Sequence, residues 1–179
     1  EIYKVAYIFM EGGAKGRNRE RKTRDKEIIM LIAKELRRFH TVTSDCNEFN
    51  LPAVPFETDN NARKSALHFD LTRNNIFKQS DGKISIIDFD DAKYGESICD
   101  IAILIANLFF SKTHGIDLEG MKEFINQYYM NDLELKKKEE PLIKQYAIEW
   151  IKYILDGNNF DTSTTESFEI RYKLINENM

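Results

Sequence analysis

Three side chains define the chemistry open to this sequence: Asp70, Asn75 and Asp88. Asp70 and Asn75 lie five residues apart in a loop-like stretch, His68-Phe69-Asp70-Leu71-Thr72-Arg73-Asn74-Asn75. A strand pattern follows from Ile76, then the dipeptide Asp81-Gly82, then a second strand pattern that runs from Ile84 to Asp88. Asp-Gly supports the positive φ angles of a tight hairpin turn, so the two strands would bring Asn75 and Asp88 back side by side. The set offers one carboxylate for proton work, plus an amide and a carboxylate that can share a hard cation. Phosphoryl transfer uses these parts: an Asp that aligns a hydroxyl and accepts its proton, and an Asn and an Asp that hold Mg2+. Asp70 at an ordinary carboxylate pKa is ionised at neutral pH and suits the first task. A Ca2+ loop reading of Asp88-x-Asp90 fails, because Ala92 and Lys93 stand where an oxygen ligand and the turn glycine are needed.

The spacing His68-x-Asp70-Leu71-x-x-x-Asn75 followed by Asp88-Phe89-Asp90 resembles the catalytic loop and metal-binding segment of the protein-kinase-like fold. Phe69, Asp90 and the run from Tyr94-Gly95 to Cys99-Asp100-Ile101-Ala102 set it apart from protein kinases. They resemble the aminoglycoside phosphotransferase family, which includes choline kinase-like and homoserine kinase-like small-molecule kinases. The resemblance covers residues 3–110 and fades beyond. It implies an α+β, mostly helical C-terminal lobe with a small β-hairpin that bears the catalytic and metal residues. It implies ATP and Mg2+ as cofactors and a small hydroxyl compound as acceptor: an aminoglycoside, a choline-like amino alcohol or a homoserine-like molecule. Asp70 would be the base, and Asn75 and Asp88 the metal ligands. His68 would position the loop through hydrogen bonds. Asp100 would tether it by accepting main-chain N–H groups, since an unpaired charge beside Ile101 and Ala102 would be costly. Main-chain groups of Phe9, Met10 and Glu11 would meet the adenine at a hinge, although an ordinary strand explains those residues as well. Asp90 would face metal or substrate, or be a solvated loop residue. The acidic cluster of Asp88, Asp90, Asp91 and Glu96 suits a cationic acceptor, and metal binding and solvation account for it equally.

The chain has 179 residues, 42% hydrophobic and 31% charged, which fits one globular domain with a core of its own. A net charge of −4 argues against nucleic acid as the main partner. Two cysteines, Cys46 and Cys99, without metal-ligand spacing fit a reducing cytoplasm and neither a zinc site nor a disulfide framework. No apolar run has the length of a membrane span.

The elements that must position these residues are mainly helices. Residues 2–10 read as a strand that Glu11-Gly12-Gly13 stops. Gly12-Gly13-Ala14-Lys15-Gly16 lacks the spacing of a phosphate-binding loop. Ile28, Ile32, Leu36 and Phe39 predict a helix over 24–40, with His40 closing it as a cation favoured by the helix dipole. Residues 41–66, with Pro52 and Pro55, read as loop with a short helix over 60–65. The stretch 97–110 is apolar nearly all round and predicts a buried helix. Asp117 is a candidate N-cap for a helix whose face is Met121, Phe124, Ile125 and Tyr128. Pro141 starts another helix, with a stripe from Leu142 to Leu155 and Gly157 at its end. Within it, the helical spacing of Tyr146, Trp150 and Tyr153 favours core packing over an aromatic cage for a cation. Ser163-x-x-Glu166 reads as a capping box that opens the last helix.

No Lys on a strand in a Val-Ala-Ile-Lys context, with a Gly-rich loop before it, precedes the catalytic stretch. The chain begins at Glu1 inside a strand-like run, which suggests a piece of a longer protein: residues 1–12 as the remnant of a hinge strand, 13–179 as the helical lobe. The 179 residues are expected to fold but to lack the phosphate-clamping groups and so be inactive alone. They are also expected to self-associate through the exposed strand. The competing reading is a non-catalytic kinase-like module that binds a ligand or partner.

Overall fold

Ile98–Leu108 is a helix of 11 residues, all of them buried. The computed structural model describes residues 2–4, 18–44, 50–56, 62–111, 115–157 and 160–179. In chain order the elements are β1 Ile2–Lys4, α1 Asn18–Val42, β2 Lys64–Leu67, β3 Ile76–Gln79, β4 Ile84–Ile86, β5 Lys93–Glu96 and α2 Ile98–Leu108. They continue with β6 Phe110–Ser111, β7 Gly115–Ile116, α3 Leu118–Tyr128, α4 Leu133–Glu139, a 3-10 turn Glu140–Leu142, α5 Ile143–Gly157 and α6 Thr162–Asn178. The class is α+β and mostly helical. Among the described residues no helix is long and apolar enough to cross a membrane.

The helices bury the faces that their spacing dictates. Ile28, Ile29, Ile32, Ala33 and Leu36 put one side of α1 into the core, where it packs on α3. Met121, Phe124, Ile125 and Tyr128 are the buried face of α3. Asp117 caps that helix by accepting from the Gly120 amide at 2.9 Å. Tyr146, Ala147, Trp150 and Ile151 of α5 are buried against α2, and α6 lies on α5.

Among the described residues, three small antiparallel sheets carry the loops. In the first, β3 pairs with β4 in the register Ile76↔Ile86, and β1 flanks β3. Gly82, at φ +85°, makes the turn. In the second, β2 pairs with β5 from Lys64↔Glu96 to Leu67↔Lys93. The segment around Ala53 lies beside Tyr94 as a parallel bridge, with the Tyr94 amide donating to the Pro52 carbonyl at 2.8 Å. A Cβ on Gly95 would stand 2.8 Å from Val54 Cγ1, so this close approach requires glycine there. The third sheet is the short pair β6–β7.

Several sequence expectations are corrected. Lys64–Leu67 is a strand, where the sequence places Lys64 and Ser65 at the end of a short helix and Ala66 in loop. Its partner is β5, Lys93–Glu96. That pairing joins segments about thirty residues apart, and neither has a strong strand signature of its own. The last helix is capped by Asp161, which accepts from the Thr164 amide at 2.9 Å and from its hydroxyl at 3.0 Å. Ser163 falls inside the helix, because the carboxylate two residues earlier already satisfies the first-turn donor. Helix α1 runs on to Val42, and His40 is fully buried within it rather than closing it. Helix α4 has no counterpart in the sequence reading. Tyr146 and Trp150 are core residues, whereas Tyr153 is 37% exposed. Its ring lies 5.9 Å from that of Phe69.

Candidate active site

The loop from His68 to Asn75 leaves β2 and enters β3. Its first half is fixed from beneath. Asp100, fully buried in the first turn of α2, accepts the amide of His68 on Oδ2 at 2.8 Å and the amide of Phe69 on Oδ1 at 2.9 Å. These two bonds hold Phe69 at φ +64°, a left-handed conformation that a buried aromatic residue rarely adopts. The reversal there turns Asp70 out of the core. The His68 ring bridges the loop and the hairpin: Nε2 donates to the Ile87 carbonyl at 2.8 Å, and Nδ1 accepts from the Asp70 amide at 3.2 Å. The two bonds fix the plane of the ring between the loop and the hairpin.

Asn75 closes the loop on Asp70. Its Nδ2 donates to the Asp70 carbonyl at 2.9 Å and to Asp70 Oδ2 at 2.8 Å. Burial raises the Asp70 carboxyl above its ordinary value, against the Asn75 hydrogen bond and the nearby His68, and the charges of Asp91 and Asp88 add to the rise. A half-buried carboxylate of raised basicity, held by one donor, is suited to accept a proton.

The hairpin then places Asp88. The Ile87 amide donates to the Asn75 carbonyl at 3.0 Å, so the chain returns beside Asn75 just before Asp88. Asp88 has φ +70°, the second strained residue of this region, and its side chain is exposed. Phe89 packs on the His68 ring at 4.6 Å and edge-on to Phe39 at 5.5 Å, which secures the segment. Asp90 and Asp91 are exposed on the same rim.

The donor set fits one hard cation. With Nδ2 turned to Asp70, Asn75 Oδ1 makes no hydrogen bond among the described residues, and the Asp88 carboxylate is open to solvent. Among the described residues no group of three or more His, Cys, Asp or Glu is arranged to hold a metal. A site built from one amide and one carboxylate would therefore rely on water and phosphate oxygens, the mode Mg2+ favours.

Beneath the loop lies a polar chain that the sequence did not reveal. Arg63 Nη2 donates to Tyr128 Oη at 2.7 Å, and that hydroxyl meets His40 Nδ1 at 2.7 Å. His40 Nε2 then reaches Asp100 Oδ2 at 3.1 Å. Burial holds the Tyr128 phenol well above its ordinary pKa, so it stays a neutral donor. Apolar spacing identified α1 and α3, but only their packing brings His40 and Tyr128 onto Asp100. Cys99, beside Asp100, is buried with its thiol pushed up, first by burial. The hinge positions Phe9, Met10 and Glu11, and Cys46, lie outside the described residues.

Comparison with known proteins adds three findings. The family described as the phosphotransferase enzyme family (APH) matches residues 15–128. No curated protein matches the chain. Among solved structures, an ethanolamine kinase of Plasmodium vivax is similar at 16% identity and a TM-score of 0.49, over 96% of this chain and 45% of that one. An amicoumacin kinase solved with AMP-PNP, Ca2+ and Ami is similar at 16% identity and a TM-score of 0.44, over 85% of this chain and 45% of that one. The chain thus spans under half the length of either structure.

Proposed function

The chain belongs to the phosphotransferase enzyme family, and from that premise we propose that it is the C-terminal lobe of an ATP-dependent enzyme that phosphorylates a hydroxyl of a small molecule. Asp70 aligns the hydroxyl and takes its proton as the γ-phosphate is transferred. Asn75 Oδ1 and the Asp88 carboxylate hold Mg2+, which supplies charge neutralisation on the phosphates when bound. His68 and Asp100 position the loop. Asp90 lies on the metal or substrate side, and main-chain groups of Phe9, Met10 and Glu11 meet the adenine. In this reading residues 1–12 are a hinge strand, residues 13–179 are the helical lobe, and the protein works in the cytoplasm, where ATP is available.

The observation that carries the reading is the orientation of the Asn75 amide. Its nitrogen spans the loop to the Asp70 carboxylate at 2.8 Å, which leaves its oxygen for a cation. One residue thereby couples the base to the metal, a coupling that a turn-capping Asn in a binding module does not need.

The test is turnover. The full-length protein that carries this chain is incubated with Mg-ATP and a panel of amino alcohols, aminoglycosides and homoserine-like compounds, with ADP release as readout. Turnover with one class, lost in Asp70→Asn, is expected. ATP binding without turnover across the panel favours the non-catalytic module instead. The 179 residues contain no nucleotide-binding Gly-x-Gly-x-x-Gly loop followed by a Val-Ala-Ile-Lys strand upstream of the site, so alone they are expected to give no turnover.

A further inference from the structure

Resting on the kinase reading above, we infer that Arg171, in the last helix, is a positioning residue for the catalytic loop and acts through the Asn107 side-chain amide. Asn107 is in the last turn of α2 and only 7% exposed. Its Nδ2 donates to the carbonyl of Leu71, the residue after Asp70, at 3.1 Å. Its Oδ1 accepts from Arg171 Nη1 at 2.7 Å.

An amide alone can present either end to the loop, and only the nitrogen end can bond a carbonyl. A guanidinium has donors and no acceptor, so contact with Arg171 forces the amide oxygen outward and the nitrogen toward Leu71. Arg171 and the Leu71 carbonyl therefore demand the same orientation of Asn107, and Arg171 adds a charge-assisted bond that locks it. The orientation fixes the Leu71–Thr72 peptide. The Thr72 amide in turn donates to the Asp70 carbonyl at 2.9 Å, the same oxygen that Asn75 Nδ2 holds. A parallel strut lies beside it: Arg73 Nη2 donates to the Leu108 carbonyl at 3.1 Å. The loop is thus moored to the end of α2 at two successive residues, and α6 sets one of the moorings.

Arg171 is held for this contact at some cost. Its guanidinium lies 5.1 Å from the Phe168 ring, its Nε is buried without a hydrogen-bond partner, and burial and the nearby Arg73 charge both lower its pKa. A side chain needed only to dock α6 could be apolar at that position. In transfer chemistry that depends on positioning, a shift of about 1 Å in the loop costs roughly 10²-fold in rate.

The experiment uses the full-length protein with three variants, Arg171→Met, Arg171→Lys and Asn107→Asp. It reads kcat, nucleotide KM and hydrogen–deuterium exchange. Arg171→Met keeps the stem and removes the donors. It is expected to lower kcat about tenfold or more with nucleotide KM unchanged, and to speed exchange over residues 68–75 while α2 and α5 keep their protection. Arg171→Lys, which retains a donor, is expected to restore part of kcat. Asn107→Asp strengthens the contact to Arg171 but cannot donate to Leu71, so it separates docking from positioning. It is expected to reproduce the loss of kcat and the faster loop exchange with α6 still protected. Normal kcat and loop exchange in Asn107→Asp, or exchange that rises only over α5 and α6 in Arg171→Met, overturns the inference. Should Arg171→Met fail to fold, loop exchange in Asn107→Asp decides. Absence of turnover in the wild type removes the kinase reading, and loop exchange still decides whether Arg171 holds the loop.

Discussion

The Asn75 amide nitrogen lies 2.8 Å from Asp70 Oδ2, so the residue proposed to ligate the metal also holds the proposed base. That contact favours the ionised carboxylate, while burial works against it and prevails. Asp70→Asn in the full-length enzyme is expected to leave ATP binding nearly intact and to lower kcat by roughly 10²-fold or more. Steady-state kinetics beside equilibrium nucleotide binding separates the two effects, and wild-type turnover would remove Asp70 from the mechanism.

The raised pKa of Asp70 also predicts a pH effect on stability. Folding favours its neutral form, a contribution fully present below the unfolded value near 3.8 and lost as pH rises through the folded value. Asp70→Asn keeps the neutral form at every pH. Thermal melts are therefore expected to show the variant at least as stable as wild type at pH 7, with the difference closing toward pH 3. A variant less stable at pH 7 contradicts the burial argument. Asn75→Ala removes the bond that favours ionisation, so the Asp70 carboxyl, followed by NMR in the metal-free protein, should titrate at higher pH in that variant.

Asp88→Ala is expected to abolish nucleotide-dependent Mg2+ binding, because one amide oxygen with water and phosphate is too sparse a set for a cation that dehydrates reluctantly. Titration of the full-length protein with Mg2+ at saturating nucleotide checks it. Unchanged affinity sinks the metal assignment.

Asp100 accepts two loop amides and lies 3.1 Å from His40 Nε2, all at zero exposure. Asp100→Ala leaves those donors buried and unpaired. About 3–5 kcal/mol of stability should be lost, the scale for breaking a buried polar network. Asp100→Asn, which retains one acceptor, should lose less. Urea denaturation measures both, and equal losses would argue against the two-oxygen tether.

Gly95→Ala brings a Cβ to 2.8 Å from Val54 Cγ1. Overpacking of this kind costs about 1–3 kcal/mol, and Val is stiff about χ1 and cannot easily turn away. Val54→Ala in the same chain should recover part of the loss. A double-mutant cycle with no coupling energy would show that the clash is relieved elsewhere.

Local pattern was enough for the parts of this protein that depend on neighbours in sequence. Asp81-Gly82 announces its hairpin because a tight turn needs positive φ at Gly82. The helices α1, α2, α3 and α5 follow from apolar spacing, and Asp117 marks its helix start because a cap acts within three residues. The spacing of His68, Asp70, Asn75 and Asp88 is legible for the same reason: one loop and one hairpin carry all four. Tertiary structure decided what depends on long separations. His40 reads as a helix-end cation until α3 and α2 put Tyr128 and Asp100 on either side of its ring. The strand character of Lys64–Leu67 exists only through pairing with Lys93–Glu96. Asn107 and Arg171 lie 64 residues apart, and nothing around either predicts that they meet behind Leu71. A hydrogen bond between distant side chains leaves no period in the sequence, so only the packing of α1, α3 and α6 against α2 determines which polar groups share the space beneath the catalytic loop.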